Sequence, residues 1–158
     1  MDGRISSNNV TAHGGPGTLP NALKELWFET GGSCHLRCSY CFAESGGLDE
    51  SPDNVSIGRI KAYLHEFKKL VGERIGLVGA GEPFHPRNIR DTFEILDLVR
   101  PLQLKTTVFT TADLLDGRSI KQLEQYPNLL LLVKYNSRIC EIQDAMVNVK
   151  DTPCEGTQ

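Results

Sequence analysis

The chain has no run of about eighteen apolar residues, the length a helix needs to cross a bilayer, so no membrane-spanning segment is expected. It has no excess of positive charge either. The net charge is −3 and no basic stripe stands out, which argues against a nucleic-acid-binding face. The amino terminus lacks the basic and apolar blocks of a secretory signal. There is no even, spread set of cysteines to serve as a disulfide framework. Three of the five cysteines crowd into one short stretch, a pattern of metal ligands in a reducing compartment. A soluble cytoplasmic protein is the expectation. At 158 residues, 39% hydrophobic and 23% charged, the chain is long enough for one domain with its own core.

Residues 1–20 are rich in Gly, Ser, Asn, Thr and Pro and read as a flexible tail, with His13 solvated in it. A core domain is expected over 21–150 and a polar tail over 151–158. Leu23 to Thr30 reads as a first strand ending at Gly31-Gly32, which lets the backbone turn tightly. Gly46-Gly47 and Ser51-Pro52-Asp53-Asn54 mark a loop. Ser56 is placed to cap a helix whose apolar stripe is Ile57, Ile60, Tyr63, Leu64, Phe67 and Leu70, with His65 and Glu66 off it and Gly72 as its stop. Ile75 to Gly79 reads as a second strand. A helix with Ile89, Phe93, Leu96 and Val99 on one face follows and stops before Pro101. Leu104 to Thr110 has strand composition. A short helix is expected from Ser119 to Tyr126, closed by Pro127. Leu129 to Val133 is the strongest apolar run and reads as an interior strand covered on both faces. Ile139, Ile142, Met146 and Val149 give a last amphipathic helix. Strand and helix alternating four times predict an α/β fold with a parallel sheet and right-handed crossovers, whose ligands bind at the carboxyl ends of the strands.

At that end, just after the first strand, stands Cys34-His35-Leu36-Arg37-Cys38-Ser39-Tyr40-Cys41. Thiolates this close suit zinc or an iron–sulfur cluster. A structural zinc site needs four protein ligands, and His35 would have to bend back sharply to be the fourth. A four-iron cluster on three cysteines leaves one iron open. The spacing favours the open cluster. Ala80-Gly81-Glu82-Pro83 follows the second strand directly, where small residues permit close approach to a ligand or simply make a strand-to-helix turn.

Cys34-x3-Cys38-x2-Cys41, with Tyr40 before the last cysteine, resembles the cluster motif of the radical S-adenosylmethionine (SAM) superfamily, and Ala80–Pro83 resembles its Gly-Gly-Glu-Pro motif. The resemblance implies a [4Fe–4S] cluster on Cys34, Cys38 and Cys41, with SAM chelated to the open iron and cleaved reductively to a 5′-deoxyadenosyl radical. It implies that Ala80, Gly81, Glu82 and Pro83 receive the SAM amino group. The backbone beside Tyr40 and Phe42 would touch adenine while the aromatic ring shields the cluster. Thr110-Thr111-Ala112 stands where many relatives carry Thr-Asn-Gly, which makes Thr110 a candidate SAM contact. Lys134, Asn136 and Ser137 would reach the methionine carboxylate or the ribose, or else Asn136 or Ser137 caps the last helix. Arg37 and His85 read as structural or surface residues, and Cys140 and Cys154 as free thiols.

Such domains usually build six βα units as a partial TIM-like barrel, and this chain supplies about four. An N-terminal portion of an enzyme is the expectation, whether catalytic or a non-catalytic iron–sulfur or zinc module. A low-potential donor such as flavodoxin or ferredoxin, an unread substrate, and self-association or a missing C-terminal half are the implied partners. An uncovered fourth strand would be a sticky edge.

Overall fold

A computed structural model describes residues 23–45 and 55–152. The expected tail at 1–20 with His13, the loop from Gly46 to Asn54, the carboxy-terminal residues after Thr152 and Cys154 lie outside the described residues. Four strands, β1 (Glu25–Thr30), β2 (Arg74–Gly79), β3 (Lys105–Thr110) and β4 (Leu129–Val133), alternate with α1 (Ile57–Lys69), α2 (Ile89–Val99), α3 (Gly117–Leu123) and α4 (Cys140–Val147). The strands form one parallel sheet in the order β1-β2-β3-β4, as the alternation requires. The fold is α/β, a four-strand portion of the expected barrel.

Register divides the sheet into two faces. Phe28 pairs with Leu77, and Leu77 with Val108, so these three share the face on which the helices pack. Leu64, Phe67, Ile75, Leu77, Leu96 and Val108 are buried there. Each contributes about 1.5–3 kcal/mol relative to exposure, which makes this the anchored side of the sheet. The other face carries Trp27 opposite Gly76, with Phe109 opposite Leu132 further along. Trp27 reaches across β2 to contact Phe109, ring centroids 5.6 Å apart. It can do so because the position between them is a glycine: a Cβ on Gly76 would fall into the indole.

Several expectations change in detail. β4 is an edge strand, not an interior one: Leu130 is 60% exposed and Leu132 43%. Consecutive strands add side by side, so among the described residues β4 has a strand neighbour on one side only. The final helix also turns a different face inward, burying Gln143 and Val147 and exposing Ile139 and Ile142. Val147 and its neighbours meet the cysteine loop through backbone bonds from Arg37 to Val147 (2.9 Å) and Ser39 to Met146 (3.2 Å). Ser56 stands at the N-cap of α1 without a side-chain cap bond. α3 begins two residues early, because Asp116 accepts from the Ser119 amide at 2.7 Å and caps it. Val71, not Gly72, takes the left-handed conformation that ends α1 (φ 63°). Gly72 is needed because a Cβ there would strike the buried Phe67 ring. Cys140, read as a free thiol, is disulfide-bonded. No helix among the described residues is long and apolar enough to cross a membrane.

Trp27 is the only tryptophan, so its emission reports on the open face. Gly76→Ala is expected to push the indole off Phe109, shift emission to the red and cost on the order of 1–3 kcal/mol in urea unfolding. Unchanged emission would show that the ring does not lie across Gly76.

Candidate functional site

Parallel pairing brings the carboxyl ends of all four strands to one edge, and the loops that leave them meet there. The chain leaving β1 turns through Gly31-Gly32 into the cysteine loop, and the turn after β2 runs directly against it. The Glu82 amide donates to the Ser33 carbonyl at 3.0 Å. Gly81 allows that approach, since a Cβ would collide with the carbonyl oxygens of Gly31 and Ser33. At the far end of the loop, the Ser45 hydroxyl donates to the Ala80 carbonyl. The cysteine segment is thus stitched to Ala80–Pro83 at both ends.

Cys34, Cys38 and Cys41 all open into one cavity of about 470 Å³. Gly81, Glu82 and Thr110 line its wall, with Lys134 opposite; Phe109 and Leu132 continue it onto the open face of the sheet. The three cysteines are free and half-buried. Burial pushes the Cys41 thiol up, but hydrogen bonds from Ser45 and from the Ala43 backbone, with the charge of Lys134, outweigh this and leave it lowered. Among the described residues no three His, Cys, Asp or Glu side chains converge closely enough to hold a single metal ion. Arg37 is exposed and its guanidinium donates to the carbonyls of Cys34 and Leu36 at 3.0 Å, bracing the loop from outside.

Glu82 is 3% exposed, and its carboxylate is fully engaged on the wall side. Oε1 accepts from the Thr110 hydroxyl (2.5 Å) and the Phe84 amide (3.2 Å), and Oε2 from the Thr111 amide (2.9 Å). The Thr111 hydroxyl lies 3.0 Å from the same Oε2 and 2.5 Å from Asp113. Asp113 in turn holds the His35 ring, Nε2 to Oδ2 at 2.6 Å. One polar chain therefore runs from β3's end through Glu82 and Asp113 to the cysteine loop. Sequence reading named Thr110 and Glu82 but not Asp113, whose partner stands 78 residues away. Ala112 takes the left-handed conformation at φ 63°, at a cost of about 1–2 kcal/mol. His85 is turned away from the cavity, its Nδ1 accepting from the Arg87 amide at 3.3 Å.

Of the residues after β4, Lys134 points into the cavity. Its Nζ lies 3.2 Å from the Cys38 sulfur and 4.4 Å from the Tyr40 ring centroid. Partial burial lowers its pKa, but the bonds to Tyr40 and Cys38 win and it is raised, so the ammonium is retained. The Tyr40 hydroxyl donates to Asn136 Oδ1 at 3.0 Å. Asn136 Nδ2 and His35 Nδ1 are buried with no hydrogen-bond partner among the described residues. Ser137 turns to the helix, accepting from the Ile139 amide at 3.1 Å. Phe42 is exposed at the rim. Ala80, Pro83, Asn136 and Ser137 do not line the cavity; they hold the residues that do.

His35 is raised to about 9, chiefly by its bond to Asp113, with Cys34 adding and burial opposing. A histidine raised on folding adds stability that is complete below its unfolded value near 6.5 and lost as pH climbs through about 9. The expectation for the metal-free chain is a falling unfolding midpoint over that window, with the His35 ring signals titrating late. Asp113→Asn should return the ring to a titration near 6.5. A ring that already titrates there in the parent chain would contradict the ion pair.

With this geometry in hand, comparison with known proteins is direct. The sequence profile of the Radical SAM superfamily matches residues 28–137. No curated protein matches the sequence significantly. Among solved structures, SuiB of Streptococcus suis bound to S-adenosylmethionine superposes with a TM-score of 0.67 at 20% identity, covering 80% of this chain and 28% of SuiB. SuiB bound to the precursor peptide SuiA gives a TM-score of 0.65 at 19% identity, covering 80% and 27%. The chain therefore spans little more than a quarter of the SuiB length. From Phe28 to Ser137, cysteine loop and glycine-glutamate turn included, this chain belongs to the radical SAM superfamily.

Proposed function

We propose that this chain forms the cofactor-holding part of a radical SAM enzyme, with Cys34, Cys38 and Cys41 as ligands of a [4Fe–4S] cluster. The observation that carries the reading is the shared cavity: three thiols, Glu82, Thr110 and Lys134 face one space of about 470 Å³. That size suits a cofactor the size of a nucleoside. The donor set fits the group. Thiolate is a soft ligand of the kind an iron–sulfur cluster takes, and all three cysteines open on the one cavity. Asn136 Nδ2 is buried beside the cysteine loop with no hydrogen-bond partner among the described residues.

Held by Cys34, Cys38 and Cys41, such a cluster would supply the one-electron chemistry of reductive SAM cleavage. The protein's own residues do the rest by position and charge. Gly81 and Glu82 are the members of the Ala80–Pro83 turn on the cavity wall, so the Gly81 backbone and the Glu82 carboxylate would accept from an ammonium, with Thr110 keeping that carboxylate aimed. Lys134 offers a full positive charge to a carboxylate in a half-sheltered place. Phe109 and Leu132 give the cavity an apolar wall where it meets the open sheet face, and Trp27 packs against Phe109 behind it. SuiB has been captured with a precursor peptide, which supports a substrate partner here as well. A low-potential electron donor of the flavodoxin or ferredoxin kind completes the requirement.

Anaerobic reconstitution with iron and sulfide tests the reading. Cluster absorbance, stoichiometric iron and 5′-deoxyadenosine formed from SAM under reduction are expected, and Cys38→Ala should take up no cluster. Iron retention unchanged in that variant would remove the ligand assignment. A cluster without SAM cleavage would leave the chain a metal-holding module, and zinc uptake in place of iron would overturn the proposal.

A further inference from the structure

Asn88 occupies the N-cap of α2, where an asparagine side chain ordinarily accepts from first-turn amides. It makes no such bond. Its Nδ2 lies 3.0 Å from the Gly31 carbonyl oxygen, 2.8 Å from that of Ser33 and 2.8 Å from that of Glu82. Three acceptors around one end of the amide fix that end as the nitrogen, since an oxygen there would face only lone pairs. The residue is 5% exposed, so no water competes freely for these bonds. Gly31 and Ser33 belong to the cysteine loop; Glu82 belongs to the turn after β2. One side chain holds both.

We propose that Asn88 is a positioning residue that sets the separation of the cysteine loop from the Ala80–Pro83 turn, and thereby couples cluster binding to capture of the SAM amino group. The inference rests on the function proposed above and adds a residue to it. Asn88 does not line the cavity and acts only through the backbone of its three partners. The two loops already touch at Gly81, where the carbonyl oxygens of Gly31 and Ser33 crowd in. The amide's two N–H groups neutralise that crowding. Without them, only the Glu82 amide to Ser33 bond joins these loops at this end, in a buried setting where the freed acceptors are costly. α2 itself has independent support. The Ile89 amide donates to the His85 carbonyl at 2.9 Å, and the Thr92 hydroxyl donates to that of Pro83 at 2.8 Å. Loss of the Asn88 side chain is therefore felt between the loops more than in the helix.

Hydrogen exchange in the metal-free chain and SAM binding in the reconstituted chain test this together. In Asn88→Ala the Glu82 amide should exchange about tenfold faster or more, with β3 amides unchanged, and SAM affinity should fall about tenfold at unaltered iron content. Asn88→Ser, which restores one donor and guards against a poorly folding alanine variant, should fall between. Unchanged exchange at Glu82 would overturn the proposal. So would uniform acceleration across the sheet, the mark of a general loss of stability, or unchanged SAM affinity once the Glu82 amide has been freed. If the parent chain takes up no iron or binds no SAM, the functional reading fails on its own. The Glu82 amide then still decides whether Asn88 fastens the two loops.

Discussion

Where the chain leaves β1 and β2, two backbones run so close that only a glycine fits between them, and one amide, Glu82 to Ser33, closes the gap. This approach follows from parallel pairing. β1 and β2 are adjacent and end level, Thr30 opposite Gly79, so whatever each strand hands on must occupy neighbouring space. A loop of thiols and a turn of exposed carbonyls are thereby forced into one site. Antiparallel pairing of the same two segments would put them at opposite ends of the sheet.

Around that contact the polar groups are satisfied in a closed circuit. Glu82 is a buried carboxylate, a costly group unless well bonded, and Thr110, Thr111 and Phe84 supply its donors. The circuit extends through Asp113 to His35 and so returns to the cysteine loop. Burial by itself would raise Asp113, but the His35 bond and the Thr111 hydroxyl overcome it and the carboxyl is lowered. The charged pair thus lies on the outer side of the site, leaving Lys134 to face the cavity. Such networks rigidify a site when every member has a partner. Asn136 Nδ2, the donor left without a partner among the described residues, lies outside this circuit beside Tyr40.

Polarity and openness are divided between the two faces of the sheet. The helix side is a packed apolar layer that fixes strand order. The other side carries Trp27, Phe109 and Leu132, of which Trp27 and Leu132 are exposed among the described residues, and it continues into the cavity. β4 adds Leu130 and Val133 to the exposed surface. An edge strand of five residues with apolar side chains has backbone groups ready to pair with further strands.

Much of this was legible in the residues alone. Spacing of cysteines, alternation of strand and helix, and the small residues before Glu82 are local patterns, and each marks a chemical need that does not depend on distant chain. They determined the fold class, the cavity's end of the sheet and the thiols that line it. What lay beyond the sequence was the partner of each side chain. The run Leu129–Val133 declares a demand for burial but not whether a neighbour exists to meet it, and it became an edge. Nothing in the local pattern marks Asn88, and only the folded chain could bring three carbonyls to its amide. His35 and Asp113 gain meaning only from each other. Local periodicity records what a residue prefers, whereas hydrogen bonding and burial depend on which loops the tertiary structure sets within 3 Å, and that was decided in space.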